Sequence, residues 1–190
     1  MSLLLLVEDK EGRKPFEILA RKIRRVAVQA RFMPQGDMLN ISRVAEFLRL
    51  HYRSHRNLSY VLICRDSECT PIAETQNRCR QAEEQLNNRL GNRFPPIRYI
   101  VVDHSLEGWL ASDKDALRHV LGSNARIPRN FNPEEDCRPA EKLDRIFVDN
   151  GKDGYEKSRH ALQLALACNP KNIAARSDTF RHFQQSVFSG

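Results

Sequence analysis

The feature that most constrains the fold is an alternation of short apolar runs with longer amphipathic segments. Three short, mainly apolar runs have the pattern of strands covered on both faces, at residues 3–7, 60–64 and 97–102, the last of which contains Arg98. A short second strand is also predicted at residues 31–36. Apolar residues recur every three or four positions between these runs, which predicts amphipathic helices at 14–30, 41–52 and 70–91. This β-α-β-α-β-α-β order predicts an α/β fold whose four-stranded, mostly parallel sheet carries helices on both faces.

The C-terminal third of the chain has a different pattern. Two short helices are predicted at 106–111 and 113–122, and the polar segment 122–138 is rich in Pro and Asn, as linkers are. Helical patterns follow at 140–147, 155–168 and 177–188. We therefore expect a catalytic core over residues 1–121, with a linker and a helical C-terminal extension over 122–190 packed on it.

Composition limits the setting of the protein. The 41% hydrophobic and 29% charged content is ordinary for a soluble globular chain. The opening LLLLV is too short for a signal-peptide core or a membrane span, so we expect a cytoplasmic protein with no membrane partner. The five cysteines are an odd number without a CxxC pair, which favours buried or reduced thiols over disulfides or zinc.

The net charge of +7 is concentrated near the N-terminus. Residues 10–31 contain eight Lys and Arg against two acids. Such a segment is either a solvated helix face or a sequence-independent contact with nucleic-acid phosphates. Lys10, Arg13 and Lys14 are the candidate phosphate contacts on the second interpretation.

Acidic residues follow three of the predicted strands. Glu8 follows the first strand, Asp66 and Glu68 follow the third, and Asp103 follows the fourth, with Glu107 four positions later. A single acid after a strand is usually only a turn former or helix cap. However, the carboxyl ends of parallel strands meet at one edge of a sheet, where adjacent carboxylates raise one another's pKa. A Mg²⁺ or Mn²⁺ ion removes that repulsion.

Two of these acidic motifs resemble a known fold family. LLLLVEDK, with Glu8, and LICRDSE, with Asp66 and Glu68, resemble the TOPRIM fold of topoisomerases, primases, OLD (overcoming lysogenization defect) nucleases and small RNA-maturation nucleases. That family has a glutamate after its first strand and Asp-x-Asp after its third. Two departures are Glu68 in place of the second aspartate, and a glycine-rich turn reduced to residues 35–37.

The rest of the chain is similar to a narrower group. VVDHSLEGWLASD (101–113), PAEKLDRIF (139–147), YEKSRHAL (155–162) and SDTFRHFQ (177–184) resemble a family of TOPRIM-like proteins of unknown function. Members of that family are often encoded beside ATPases and are related to the OLD nucleases. The resemblance spans nearly the whole chain.

The resemblance implies a nuclease that hydrolyses phosphodiesters with two Mg²⁺ or Mn²⁺ ions. It favours DNA over RNA as the substrate, and implies a bacterial anti-phage defence system with an ATPase partner. Glu8, Asp66 and Glu68 would form the metal centre, Glu107 would be a further ligand or a water-positioning base, and Asp103 a further candidate ligand.

The resemblance also assigns roles to two cations. Lys157 would neutralise the transition-state phosphate, although a solvated lysine at a helix start is an equal alternative. Arg65 would steady the scissile phosphate or pair with a neighbouring acid.

Two other classes of function remain open. LLLLVEDK also resembles the start of a response-regulator receiver domain, with Asp66 as the phosphorylated aspartate, but Glu68 would then have no role. Alternatively, the chain is a non-catalytic, TOPRIM-like partner of an ATPase whose metal site is degenerate. Either form could assemble as an oligomer.

Overall fold

A four-stranded parallel sheet forms the centre of the computed structural model, which describes residues 2–129, 131–133 and 137–189. Its strands lie in the order β2-β1-β3-β4 and comprise β1 (Ser2–Val7), β2 (Ala27–Phe32), β3 (Leu58–Asp66) and β4 (Ile97–Val102). Each adjacent pair is parallel. The predicted α/β fold, with helices around a parallel sheet and further helices at the C-terminus, is confirmed.

Helices cover both faces of the sheet. One face carries α2 (Gln35–Met38), α3 (Ile41–Ser54) and α4 (Ile72–Leu90). The other face carries the following elements: α1 (Arg13–Ile23), α5 (Leu106–Ser112), α6 (Lys114–Leu121), α7 (Pro139–Asp149), a π-helical turn (Lys157–Ala161), α8 (Leu162–Ala167), α9 (Pro170–Ala174) and α10 (Asp178–Ser189).

The two faces have separate apolar cores because side chains alternate along each strand. Leu3 and Leu5 of β1 pack with α1 and the C-terminal helices, whereas Leu4 and Leu6 pack with α3 and α4. The Trp109 side chain is fully buried in the core shared with α1 and the C-terminal helices.

The first core also joins the two parts of the chain. Trp109 makes ring contacts with Phe16, Phe180 and Phe183, so residues on both sides of position 121 share one cluster. The division at residue 121 remains a prediction.

The second strand lies earlier than predicted. The helix expected over 14–30 ends at Ile23, and residues 27–32 pair with β1 instead. Val26 and Ala30 fit helical spacing, but Val28 and Ala30 also alternate as a strand does, and pairing with β1 favours the strand. The Glu17 side chain of α1 accepts a 2.9 Å hydrogen bond from the Ala30 backbone N–H, which fixes the helix against this strand.

The C-terminal elements also differ in detail from the prediction. The helix expected over 155–168 is a π-helical turn followed by the short α8, and α9 was not predicted. Part of the predicted 122–138 linker lies outside the described residues, and its described part contains neither helix nor strand.

The prediction that the cysteines avoid disulfides is wrong. Cys69, in the loop after β3, and Cys137, just before α7, form a disulfide with their Cα atoms 4.8 Å apart. The pairing depends on the packing of α7 against the core, so the wide spacing of the two residues does not reveal it. Cys64, Cys79 and Cys168 are buried free thiols, as expected.

None of the helices in the described ranges has both the length and the apolar character needed to cross a bilayer.

Candidate active site

Glu8 and Asp66 lie side by side at the carboxyl edge of the sheet. Val7 pairs with Cys64 in the parallel register, so the residue after β1 reaches the end of β3. The Asp66 backbone N–H donates a 3.1 Å hydrogen bond to Glu8 Oε2. Arg65 Nη1 donates a 3.1 Å bond to Glu8 Oε1, and both of these side chains are largely buried. Of the two alternatives for Arg65, the structure therefore contains the pair with a neighbouring acid.

Burial and mutual repulsion alter the ionisation of both carboxyl groups. Burial raises the Glu8 pKa to about 7, against the Arg65 charge and the Asp66 N–H, while the Glu68 carboxylate raises it further. Burial also raises the Asp66 pKa well above its usual value. The Glu8 and Glu107 carboxylates act in the same direction on Asp66, and Lys157 acts against them. These groups therefore form one electrostatic cluster.

Lys157 supplies the positive charge of this cluster. Its Nζ lies 2.6 Å from Asp9 Oδ2 and 2.9 Å from Glu107 Oε1. Burial disfavours its charged form, but the two carboxylates outweigh that effect and raise the Lys157 pKa above its usual value. Lys157 is therefore an ion-paired ammonium group inside the cluster, and the alternative of a solvated lysine is wrong.

Glu107 is the most deeply buried acid of the cluster, with a side chain only 1% exposed. It lies in the first turn of α5, where Ser105 Oγ donates a 2.8 Å hydrogen bond to its Oε2. Its other oxygen faces Lys157.

Tyr155 lies beside the same acid. Burial and the Glu107 charge raise the Tyr155 pKa. Glu107, Tyr155 and Lys157 line one side of a cavity of about 490 Å³, and α7 lines the other.

The chain before Lys157 is shaped by a glycine. Gly154 has φ +117°, and a Cβ at this position would lie 2.5 Å from Asp144 Oδ1. That oxygen accepts a 2.8 Å bond from the Tyr155 backbone N–H. Lys157 then begins the π-helical turn, a rare form that is frequent at functional sites.

Glu68 interacts with the cluster through its charge and not through a direct contact of its side chain. Its backbone has φ +49°, and its N–H donates a 2.9 Å bond to the His104 carbonyl. The side chain is exposed and acts on Glu8 through its charge. It therefore lies at the solvent side of the site.

Asp103 lies apart from the other acids. Asp103 Oδ1 lies 3.6 Å from His104 Nε2, and the Asp103 backbone N–H donates a 3.3 Å bond to Thr179 Oγ1. The residue lines a different cavity, along the outer edge of β4. Its predicted role as a metal ligand gains no support from this position.

The basic segment near the N-terminus is partly structural. Lys22 Nζ donates to the carbonyls of Leu166 and Cys168, each at 2.6 Å, at the C-terminal end of α8. Arg24 Nη1 donates to the Phe188 carbonyl at 2.9 Å, in the last turn of α10. Cations at these positions complement the helix dipole.

The three predicted phosphate contacts lie just beyond β1. Lys10 and Lys14 are exposed, and Lys14 Nζ pairs with Glu17 at 2.9 Å. Arg13 Nε donates a 2.9 Å bond to the Lys10 carbonyl. Their contact with nucleic acid remains a prediction.

Asp9 is the site residue that the sequence assignment missed. It follows Glu8 directly, so its position after the first strand was visible, but its partner Lys157 is remote in the chain. Its Oδ1 also accepts a 2.9 Å bond from the Glu11 N–H, which fixes the loop after β1.

The acids are engaged by protein cations and hydroxyl groups. Within residues 2–129, 131–133 and 137–189, no three His, Cys, Asp or Glu side chains are grouped so as to hold a metal ion. The acids of the cluster still offer carboxylate oxygens, which are the donor type that suits a hard divalent cation.

Residues 12–187 match a protein family described as "Domain of unknown function (DUF4276)". The chain belongs to this family. The DUF4276 match includes Asp66, Glu68, Glu107 and Lys157, and it begins after Glu8 and Asp9. No curated protein and no solved structure matches the chain. Membership of DUF4276 therefore carries no assigned activity.

Proposed function

We propose that the protein is a metal-dependent phosphodiester hydrolase, a nuclease of TOPRIM type, that uses Mg²⁺ or Mn²⁺. The observation that carries the proposal is the meeting of Glu8 and Asp66 at the ends of neighbouring parallel strands, joined by the 3.1 Å bond from the Asp66 N–H to Glu8. The position after each strand is the one that the resemblance to TOPRIM nucleases assigns to metal-binding acids.

The charge balance of the site supports the same proposal. Glu8, Glu107 and Asp9 are close enough to raise the Asp66 pKa, and Lys157 opposes them. A cluster with more acids than bases attracts a cation. Glu8 and Asp66 would hold the metal, with Glu68 approaching from the solvent side.

When bound, the metal would supply an activated water and charge stabilisation at the phosphate. The residues of the chain have complementary roles. The Lys157 ammonium would offset the charge of the phosphate. Asp9 and Glu107 hold the ammonium group in place. Glu107 is engaged by Lys157 and Ser105, so we assign it to positioning Lys157. Arg65 would orient Glu8.

The site and the resemblance together lead us to propose nucleic acid as the substrate, with DNA favoured. An ATPase partner and a role in anti-phage defence rest on the resemblance alone. The exposed cations Lys10 and Lys14 lie close in the chain to Asp9, and in this proposal they would contact phosphates beside the site.

The test is cleavage of supercoiled plasmid and structured RNA with Mn²⁺, with Mg²⁺ and with chelator. We expect cleavage that requires the metal and is lost in Glu8→Ala and Asp66→Ala. Asp115→Ala is the matched control, because Asp115 is an exposed acid paired with Arg118 outside the cluster. Equal cleavage by the parent and by both site variants would contradict the assignment.

The rival functions give different results. A receiver domain would incorporate phosphate at Asp66 from acetyl phosphate and would not cut nucleic acid. A non-catalytic partner would cut neither substrate, even with the neighbouring ATPase present.

A further inference from the structure

A second cavity, of about 780 Å³, runs along the outer edge of β4 between α4 and α10. We call it the β4 groove; the residues used below are Ile72, Arg80, Arg98, Val101, Asp103 and Arg176. Its upper end begins at the active site edge, since Asp103 follows Val102 and Val102 pairs with Asp66 across the sheet. Adjacent strands lie about 4.8 Å apart, so the backbone at this end of the groove lies beside the end of β3, although the Asp103 side chain is beside His104 and apart from the acids of the cluster.

The edge of β4 is closed to another strand. The Asn87 carboxamide donates to the Ile97 carbonyl at 3.1 Å and accepts from the Ile97 N–H at 3.3 Å. Glu83 Oε2 accepts from the Tyr99 N–H at 2.8 Å. Thr179 Oγ1 accepts from the Asp103 N–H. Side chains therefore occupy the positions that an added strand would need, which excludes strand addition as the use of this groove.

The arginines of the groove lack carboxylate partners within the described residues. Arg80 Nη2 donates to Asn77 Oδ1 at 2.9 Å, and Arg98 Nη1 donates to Ser186 Oγ at 3.4 Å, so both partners are neutral. Arg176 makes no ion pair with a described residue.

Two arginines of the flanking helices are paired with acids. Arg78 of α4 bonds Glu74 at 2.6 Å, and Arg181 of α10 bonds Asp178. The groove arginines differ from these two in making no bond to a carboxylate of the described residues.

The acids around the groove offset this charge only in part. Asp178 is paired with Arg181. Glu83 accepts the Tyr99 N–H and lies close enough to Arg98 for the two charges to interact. The three guanidinium groups of the groove therefore face two further carboxylates, those of Glu83 and Asp103, which leaves a small excess of positive charge beside the acidic edge of the sheet, as suits a polyanion.

We propose that the β4 groove binds one strand of nucleic acid beside the hydrolytic centre, with Arg98 and Arg176 contacting successive phosphates and Arg80 a further one. This inference rests on the proposed function for the identity of the ligand. Elements α4 and α10 flank the groove, and the partly exposed Ile72 offers apolar surface to a base. The contacts are to the backbone, so binding is independent of base sequence.

The test is fluorescence anisotropy with labelled 20-nucleotide DNA and RNA single strands, in chelator, so that cleavage cannot occur. Relative to the parent protein, we expect the double variant Arg98→Ala/Arg176→Ala to bind at least roughly tenfold more weakly at low salt. The slope of log affinity against log salt should fall by about 1.4, since each single-strand phosphate contact contributes about 0.7. Arg78→Ala, on the outer face of α4, should bind as the parent does.

Unchanged affinity and salt slope in the double variant would overturn the proposal, as would no binding by the folded parent. Circular dichroism and thermal unfolding verify that each variant is folded. Comparison of the DNA and RNA strands identifies which of the two the groove prefers.

The outcome is separable from that of the proposed function. Groove-dependent binding without metal-dependent cleavage would leave a nucleic-acid binding protein without the proposed activity. Cleavage that requires Glu8 and Asp66, with no effect of the groove variants on binding, would support the proposed nuclease activity and contradict nucleic-acid binding by the groove.

Discussion

Lys157 Nζ lies 2.9 Å from Glu107 Oε1, although the two residues lie on opposite sides of the 122–138 linker. Glu107 belongs to α5 and follows the last strand, whereas Lys157 begins the π-helical turn of the C-terminal region. The site is therefore completed by a residue from outside the α/β alternation. The helical extension contributes to the proposed chemistry as well as to the core.

Removing Lys157 should destabilise the protein, because Glu107 would be left as a buried acid without its cation. We expect Lys157→Ala to lower the free energy of unfolding by about 2 kcal/mol, below the roughly 3–5 kcal/mol of a fully buried pair, since Lys157 remains partly exposed. Glu107→Gln in the Lys157→Ala background should recover part of the loss. Urea unfolding measures both effects, with the exposed Lys152→Ala as the control. Equal losses in Lys157→Ala and Lys152→Ala would contradict the ion pair.

The stability of the metal-free protein should fall as pH rises from 4.5 to about 7. Glu8 has its ordinary pKa of 4.5 when unfolded and a pKa of about 7 when folded. Between these values the folded state holds a proton that the unfolded state has lost, so the stabilisation is complete below pH 4.5 and declines through pH 7.

The matching variant is Glu8→Gln, which cannot ionise but retains an acceptor for the Asp66 N–H. Its free energy of unfolding, minus that of the parent, should rise by about 3 kcal/mol between pH 4.5 and 8. Urea titrations at several pH values in chelator give this difference. A difference that stays constant with pH would show that Glu8 ionises normally in the folded protein.

Gly154 should be intolerant of a side chain. Gly154→Ala combines a positive φ with a Cβ only 2.5 Å from Asp144 Oδ1, so we expect a loss of about 1–2 kcal/mol and reduced cleavage as the turn bearing Lys157 shifts. Gly151→Ala is the matched control, because Gly151 also has positive φ (+74°) but has no atom within 4 Å of an added Cβ. Equal effects of the two substitutions would show that the contact of the added Cβ with Asp144 is not the cause of the loss.

The disulfide should stabilise the folded protein by restricting the unfolded chain. Cys69 and Cys137 are 68 positions apart, and a loop of that length corresponds to about 4 kcal/mol in the chain-entropy treatment. We expect Cys69→Ser to lose a substantial part of that amount in urea unfolding. Alkylation of the native, unreduced protein should label none of the five cysteines, because the other three are buried. Labelling of Cys69 or Cys137 without reductant would contradict the bond.

The sequence predicts the strands and helices better than the contacts between residues that are distant in the chain. Short, mainly apolar runs predict β1, β3 and β4, because such runs are typical of strands buried on both faces. β2 was misplaced since its residues also fit the period of a helix, and only pairing with β1 decides between the two.

The candidate site divides in the same way. The proximity of Glu8 and Asp66 could be predicted from the strand order alone, because parallel strands place their carboxyl ends at one edge of the sheet. The pairing of Asp9 with Lys157 depends on how the C-terminal region packs, which strand and helix patterns do not specify. Asp103 shows the converse: it has the right place in the chain, but its side chain lies beside His104 instead.

The most direct test of the shared metal site is a double-substitution cycle on Mn²⁺ affinity, measured by isothermal titration calorimetry at pH 8. If Glu8 and Asp66 bind one ion, Glu8→Gln and Asp66→Asn should each weaken affinity at least roughly tenfold. The double variant should then be scarcely weaker than either single variant, because the site is already lost. Asp115→Asn should leave the affinity unchanged. Unaltered Mn²⁺ affinity in both single variants, or the loss of a different binding event in each single variant, would show that the two carboxylates do not share an ion.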